Sequence, residues 1–379
     1  MIDVVLIVVA VVAVLAAVLV TVGVVSSRML VRWSWPNLTP ILQMTDDSVA
    51  LPSNPLTRYE GVYGLRSPGG HARVGRILHD DGKTITRELQ STVGSIREAT
   101  TAAYDGDLHA SPAELGDHMD ISIPTPLGVS PAWVFPSTNK TVWFIHVHGF
   151  QADRQNALRT VAALQQVPAT HLVVSYRGDG EGTPTPHQTA RLGLDEWPDV
   201  EAALAYADAH GAEQVIMVGW SMGAAISLLI SENSNLAHLI TGHIFVSPTT
   251  DWRATMLTSA KRMGIPLPGP LTAYTDAFLS SPIFCRLAGL RKPIDFDRLD
   301  WTKTRRVSKP TLVIHSVGDL TVPLDASRKF AQTAPDLIEL HETKRAPHTR
   351  EYNVDPEGFT KAIQAWSTRL LDRAGDRSL

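Results

Sequence analysis

The chain has 379 residues, 44% of them hydrophobic and 19% charged, which is enough apolar material for a folded body with a sizeable core. Its formal net charge is -4 and it has no run of Lys or Arg, so it lacks the basic footprint that nucleic acid requires, and no nucleic-acid partner is expected. The single cysteine, Cys285, excludes an intrachain disulfide framework and is read as a small buried hydrophobe.

From Val4 to Val25 the chain carries no charged side chain and little that is polar beyond Thr21. A helix of that length spans roughly 33 Å, which covers the hydrocarbon core of a bilayer. One uncleaved transmembrane helix is expected, because Asp3 but no Lys or Arg precedes the run and the run is too long for the apolar centre of a signal peptide. Arg28 and Arg32 follow it, and by the positive-inside rule they put the rest of the chain in the cytoplasm. Residues 26–70 are read as a connector broken by Pro36, Pro40, Pro52, Pro55 and Pro68 and closed by Gly69-Gly70. Trp33 and Trp35 in it suit either the headgroup level of a membrane or packing against the domain.

Residues 71–379 are read as one domain. Period-2 stretches at Ala72 to Leu78, Thr84 to Leu89, Met119 to Ile123 and Ala132 to Phe135 predict antiparallel strands that open a sheet. From Thr141 onward strands alternate with helices. Strands are predicted at Thr141 to Val147, His171 to Tyr176, Gln214 to Val218, His243 to Val246, Thr311 to His315 and Leu337 to His341. Helices are predicted at Arg154 to Gln166, Glu196 to His210 and from Ala224. This alternation means an α/β fold with a mostly parallel sheet, helices on both faces, and ligands at the carboxyl ends of the strands.

Those strand ends carry the candidate chemistry. His148-Gly149-Phe150 closes the first parallel strand. His146 and His148 share one side of it, but no carboxylate or cysteine cluster lies nearby, so no metal or cofactor is expected. Gly178, Gly180 and Gly182 lack phosphate-loop spacing and the P-loop lysine, and Arg177 and Asp179 are read as turn residues satisfied by side-chain hydrogen bonds. Gly219-Trp220-Ser221-Met222-Gly223 joins a strand to a helix, and a sharp turn there exposes the Ser221 hydroxyl only if Gly219 and Gly223 stay small. A mostly helical cap at about residues 250–308 follows, apolar through Met256, Met263, Leu271, Phe278, Ile283 and Phe284, which suggests a substrate with an apolar part. A serine nucleophile needs a base held by an acid. Asp319 and His348 lie beyond the last two strands, in the chain order Ser221, Asp319, His348. The backbone N–H groups of Phe150 and Met222 are the candidate oxyanion donors.

With His148-Gly149, the glycine-flanked Ser221, Gly318-Asp319 running to Val322-Pro323, and Pro347-His348-Thr349, the chain from about residue 70 resembles a bacterial α/β-hydrolase fold serine hydrolase. The resemblance implies an esterase-like enzyme acting on a small-molecule ester or related acyl substrate. It does not choose among esters, thioesters, amides and peptides. An acyltransferase would use the same serine and differ only in what intercepts the acyl-enzyme. A non-catalytic tethered interaction protein would ordinarily lack a triad member, and all three are present. The oxyanion segment His148-Gly149-Phe150-Gln151 departs from the glycine-rich lipase type. The oligomeric state is not legible.

Overall fold

The computed structural model describes residues 2–34 and 38–375; Trp35 and Pro36, named above, lie outside them. Helix α1 (Ile2–Val31) is longer than the expected span and takes in Arg28. From Val4 to Leu19 every large apolar side chain is at least 52% exposed, whereas Ser27 and Val31 are fully buried. The C-terminal turns of α1 are therefore part of the folded body.

The expected connector is a sheet. Strands β1 (Leu38–Pro40), β2 (Gln43–Met44), β3 (Ser48–Pro52) and β4 (Tyr63–Ser67) combine with β5 (Gly70–Asp80), β6 (Thr84–Gly94) and β7 (Thr101–Asp105). The seven pair antiparallel in the order β1-β7-β4-β5-β6-β3-β2. Proline was a poor guide because it sits where a sheet tolerates it: Pro40 closes an edge strand, Pro52 ends β3, and Pro68 lies in the turn from β4 to β5. Val49, Leu51, Leu65, Val74 and Ile85 form a separate small core. The domain boundary expected at residue 71 thus falls inside this sheet, and the main body begins beyond it.

That body is built on β8 (Met119–Thr125), β9 (Gly128–Phe135), β10 (Val142–Val147), β11 (Thr170–Val174), β12 (Gln214–Trp220), β13 (Ile240–Val246), β14 (Thr311–Ser316) and β15 (Ile338–Thr343). Their order is β15-β14-β13-β12-β10-β11-β9-β8, parallel from β15 to β11 and antiparallel at β9 and β8. The four predicted strands upstream of Thr141 are therefore antiparallel as expected, but two belong to each sheet.

The central strands are buried on both faces, which is why they read as continuous apolar runs rather than alternating ones. One face is covered by α3 (Trp197–Ala209), α4 (Met222–Asn233) and α8 (Leu324–Thr333) through Val200, Leu204, Ile226, Leu229 and Phe330. The other is covered by α2 (Leu158–Leu164) and α10 (Pro356–Gly375) through Leu158, Val161, Phe359, Ile363 and Trp366, with the short α9 (Glu351–Val354) leading into α10.

Between β13 and β14 lies the cap, as α5 (Trp252–Arg262), α6 (Pro268–Ser280) and α7 (Phe284–Leu287). The cap packs against α1: Phe278 covers Gly23, Thr275 Oγ1 donates to Ser26 Oγ at 2.8 Å, and Tyr274 OH donates to the Leu19 carbonyl at 2.8 Å. Arg28 donates to the Leu287 carbonyl at 3.2 Å. Trp33 is half-buried, its ring 3.4 Å from where a Cβ on Gly180 would stand, so it packs against the domain. Cys285 is buried in the cap, and burial pushes its thiol pKa up.

Candidate active site

Strand β12 stops at Trp220, and α4 starts at Met222, leaving Ser221 alone at the corner with φ 50° and ψ -110°. Left-handed backbone is costly for serine, and the surroundings impose it. A Cβ on Gly219 would stand 2.5 Å from the Ala224 nitrogen, and one on Gly223 2.2 Å from the Val147 carbonyl oxygen. The corner is fixed by two more backbone bonds, Ser221 N–H to the Val246 carbonyl at 2.9 Å and Thr249 N–H to the Ser221 carbonyl at 3.1 Å.

Residues from three distant segments converge on the Ser221 hydroxyl. Its Oγ is 2.9 Å from His348 Nε2, and His348 Nδ1 is 2.6 Å from Asp319 Oδ2. An acceptor-only carboxylate at Nδ1 requires the hydrogen to reside there, which leaves Nε2 as an acceptor for the serine proton. Asp319 is held in turn: Oδ1 accepts from the Thr321 and Val322 N–H groups at 2.8 and 3.0 Å. Burial alone would raise its pKa, but the His348 charge and the hydrogen bonds from His315 and His348 outweigh it and hold the carboxyl well below the ordinary range.

Sequence reasoning missed the groups that hold these three. His315, fully buried at the end of β14, presents Nε2 to both Asp319 Oδ2 and the Val322 carbonyl at 3.2 Å, while Nδ1 accepts from Ser327 Oγ at 2.7 Å. Ser316 ties the two loops together. Its hydroxyl donates to the Ala346 carbonyl at 2.8 Å and accepts from the Ala346 and Gly318 N–H groups at 2.7 and 2.9 Å. Thr249 Oγ1 lies 3.2 Å from Ser221 Oγ. Arg159, fully buried beneath the His348 loop, donates to the Thr349 carbonyl at 2.6 Å and to Asn353 Oδ1 at 2.7 Å. Burial, with Arg350 nearby, pushes its pKa down to about 10. The one legible sign was His315, a histidine inside an otherwise apolar strand.

The oxyanion segment has its own buried frame. His148 Nδ1 is 2.9 Å from the Gly149 carbonyl and Nε2 is 3.0 Å from Asp179 Oδ2, so both ring nitrogens face acceptors. Burial disfavours the imidazolium, but Asp179 more than compensates and raises the His148 pKa. Tyr176 stacks on the His148 ring at 4.2 Å and donates its hydroxyl to the Gly149 carbonyl at 3.0 Å. With that carbonyl saturated by two donors, the trans peptide turns the Phe150 N–H the opposite way. Gly149 lies against Ser221, since a Cβ there would stand 3.1 Å from Ser221 Cβ. The Met222 N–H belongs to the first turn of α4, where no intrahelical acceptor exists. Asp179 is the turn residue expected, accepting from Glu181 and Gly182 N–H at 2.9 and 2.7 Å.

His146 turns away from His148, bonding Thr160 at 2.8 Å and His171 at 3.0 Å, and burial holds its pKa well below the ordinary value. Among the described residues no cluster of three or more His, Cys, Asp or Glu side chains is arranged to hold a metal ion.

A cavity of about 680 Å³ opens beside His348. Leu320, Thr321 and Pro347 line one side of it, while Leu38, Pro40, Leu56, Tyr59 and Tyr104 of the N-terminal sheet region line the other. The expected apolar lid contributes only Arg262. Of the cap's apolar side chains, Phe278 packs on α1, and Trp252, Met256 and Leu279 are buried in the main core.

Residues 40–105 match a family described as a domain of unknown function (DUF8805). Comparison with curated proteins gave no match. The solved esterase Pf2001 of Pyrococcus furiosus is similar at 18% identity and a TM-score of 0.53, over 69% of this chain and 96% of that one. The same esterase in another crystal form gives 18% identity and a TM-score of 0.51, over 70% and 94%. An esterase of Thermogutta terrifontis aligns at 18% identity and a TM-score of 0.46, over 66% and 99%. Residues 144–367, more than half of the chain, match the alpha/beta hydrolase family, and with the parallel sheet and the glycine-flanked corner at Ser221 in view, the protein belongs to that family.

Proposed function

We propose that this protein is a membrane-anchored serine hydrolase that cleaves carboxylic esters through an acyl-enzyme on Ser221. The observation that carries this reading is the unbroken relay from Ser221 Oγ to His348 Nε2 at 2.9 Å and from His348 Nδ1 to Asp319 at 2.6 Å, built on a strained serine backbone. The esterase neighbours agree with it. His348 Nε2 takes the hydroxyl proton as Oγ bonds to the ester carbonyl carbon. The carbonyl electron pair moves onto oxygen, where the Phe150 and Met222 N–H groups hold it, and Asp319 stabilises the imidazolium. Collapse breaks the bond to the alcohol oxygen, which leaves with the proton from Nε2. Water, deprotonated by the same nitrogen, then adds to the acyl carbon, and collapse breaks the bond to Ser221 Oγ, which takes the proton back from Nε2 as the acid leaves. Replacing Ser221 by Ala is expected to lower turnover of p-nitrophenyl esters by at least about a thousandfold and to abolish fluorophosphonate labelling. Retention of most of the activity would refute the assignment.

The anchor reading rests on α1, the one helix among the described residues long and apolar enough to cross a membrane. Removal as a signal peptide would strip contacts that the cap makes with Leu19, Gly23 and Ser26, which favours retention. Val4 to Leu19 stays free for lipid, about 24 Å of helix, and the cap meets the membrane surface where α1 leaves it. The exposed cap residues Leu267, Ile283, Phe284 and Leu287 suit that level. By the positive-inside rule, Arg28 and Arg32 support a catalytic body on the cytoplasmic side.

A further inference from the structure

The N-terminal antiparallel sheet has a second surface of interest besides its own small core, the wall it presents to His348. Leu38, Leu56 and Leu320 at the cavity mouth are 59%, 52% and 54% exposed and together form an apolar rim to it. Deeper in, Tyr59 and Tyr104 line the cavity, with Tyr63 stacked on Tyr104 at 5.0 Å. The Tyr104 hydroxyl has no hydrogen-bond partner among the described residues. The volume, about 680 Å³, lies within the range of small-molecule sites.

This wall is rigid before any ligand arrives. Arg87, fully buried, donates to the Gly75, Thr57, Tyr59 and Gly61 carbonyls at 2.8–2.9 Å and so fixes the loop that carries Leu56 and Tyr59. The sheet is fastened to the catalytic body by Asn353, which donates to the Val62 and Gly106 carbonyls at 2.7 and 3.1 Å, while its own carbonyl accepts from Val62 N–H at 2.9 Å. Asn353 also accepts from Arg159, the residue that holds the His348 loop. Wall and catalytic base share one support.

Which half of an ester the cavity takes follows from the chemistry. In acylation the departing alcohol oxygen must receive its proton from His348 Nε2, so the alcohol portion lies on the His348 side of the carbonyl. The cavity reaches His348 and its neighbours Gly318, Thr321 and Pro347, and none of its lining residues comes from the oxyanion segment 148–151. We infer that the N-terminal sheet forms an alcohol-side binding wall, giving the enzyme a preference for esters of extended apolar alcohols. This inference rests on the proposed hydrolase reading.

Two isomeric esters of equal size test it: decyl acetate puts the long chain on the alcohol, and ethyl decanoate puts it on the acid. With the full-length, membrane-reconstituted enzyme, kcat/KM for decyl acetate is expected to exceed that for ethyl decanoate. Leu56→Asp and, on the opposite side of the mouth, Leu320→Asp are each expected to lower that ratio about tenfold. Both sites are half-exposed, and a folded state is verified by thermal melting, with Tyr59→Ala as the alternative if either variant fails to fold. An unchanged ratio in folded variants, or a loss confined to ethyl decanoate, would overturn the alcohol-side assignment while leaving the hydrolase reading intact. Absence of turnover of either isomer together with absence of fluorophosphonate labelling of the wild type would overturn the hydrolase reading, and this inference with it.

Discussion

Ser221 can keep its strained backbone only because Gly219 and Gly223 give the neighbouring chains room to close in. A methyl at Gly223 would meet the Val147 carbonyl, which belongs to the central strand and has nowhere to go. Gly223→Ala is therefore expected to cost about 3 kcal/mol or more, read as a lowered melting temperature or loss of soluble protein. His315 acts one step further from the substrate, by orienting Asp319. Its replacement by Leu removes a hydrogen bond to a charged group, and a drop in kcat of about tenfold with little change in KM is expected from steady-state kinetics. Glu351 is a different case. Burial, only partly offset by His315 and the Ser247 hydrogen bond, holds its carboxyl above the ordinary range. The folded state then binds this proton more tightly than the unfolded state, so its contribution to stability is complete below about pH 4.3 and is lost as pH rises through the folded-state value. In Glu351→Gln this part of the pH dependence should vanish, and melting curves from pH 4 to 8 would measure it.

The elements differ in how plainly the sequence announces them. Strands β10, β12, β13 and β14 are buried at nearly every position and mostly apolar because helices cover both faces, and that pattern does not alternate as a surface strand would. The corner at Ser221, Asp319 after β14 and His348 after β15 were legible because strand ends and glycine spacing are local signals. The N-terminal sheet was not, since its prolines sit at an edge and in turns, where they look the same as in a loop. Arg159 and Asn353 were invisible for another reason: their roles depend on partners up to 291 positions away. At the level of packing, the join between α1 and α6 has no slack, because a side chain at Gly23 would enter the Phe278 ring. Gly23→Leu is expected to open the cap and speed proteolysis between α5 and α7 about tenfold, measured as the rate of appearance of cap fragments.

For the molecule as a whole, the last turns of α1 are packed into the body while its apolar stretch from Val4 to Leu19 stays exposed, as the proposed anchoring requires. The full-length protein is expected to stay in the membrane pellet after alkaline carbonate extraction. Protease added to intact cells should leave the catalytic body whole and digest it only after permeabilisation; digestion of intact cells would put the body on the outer side.

The docking of the cap on α1 also bears on how the chain acquires its structure. The contacts from Tyr274, Thr275 and Leu287 to the anchor close loops of 255, 249 and 259 positions. Closures that long are slow and come after local structure has formed. Helix α1 is thus completed by a segment synthesised long after it, and until that segment arrives its last turns lie bare. Protection of residues 19–31 from hydrogen exchange should consequently be gained last on refolding, after the central sheet, so the corner at Ser221 can assemble before α1 is fully seated against the cap.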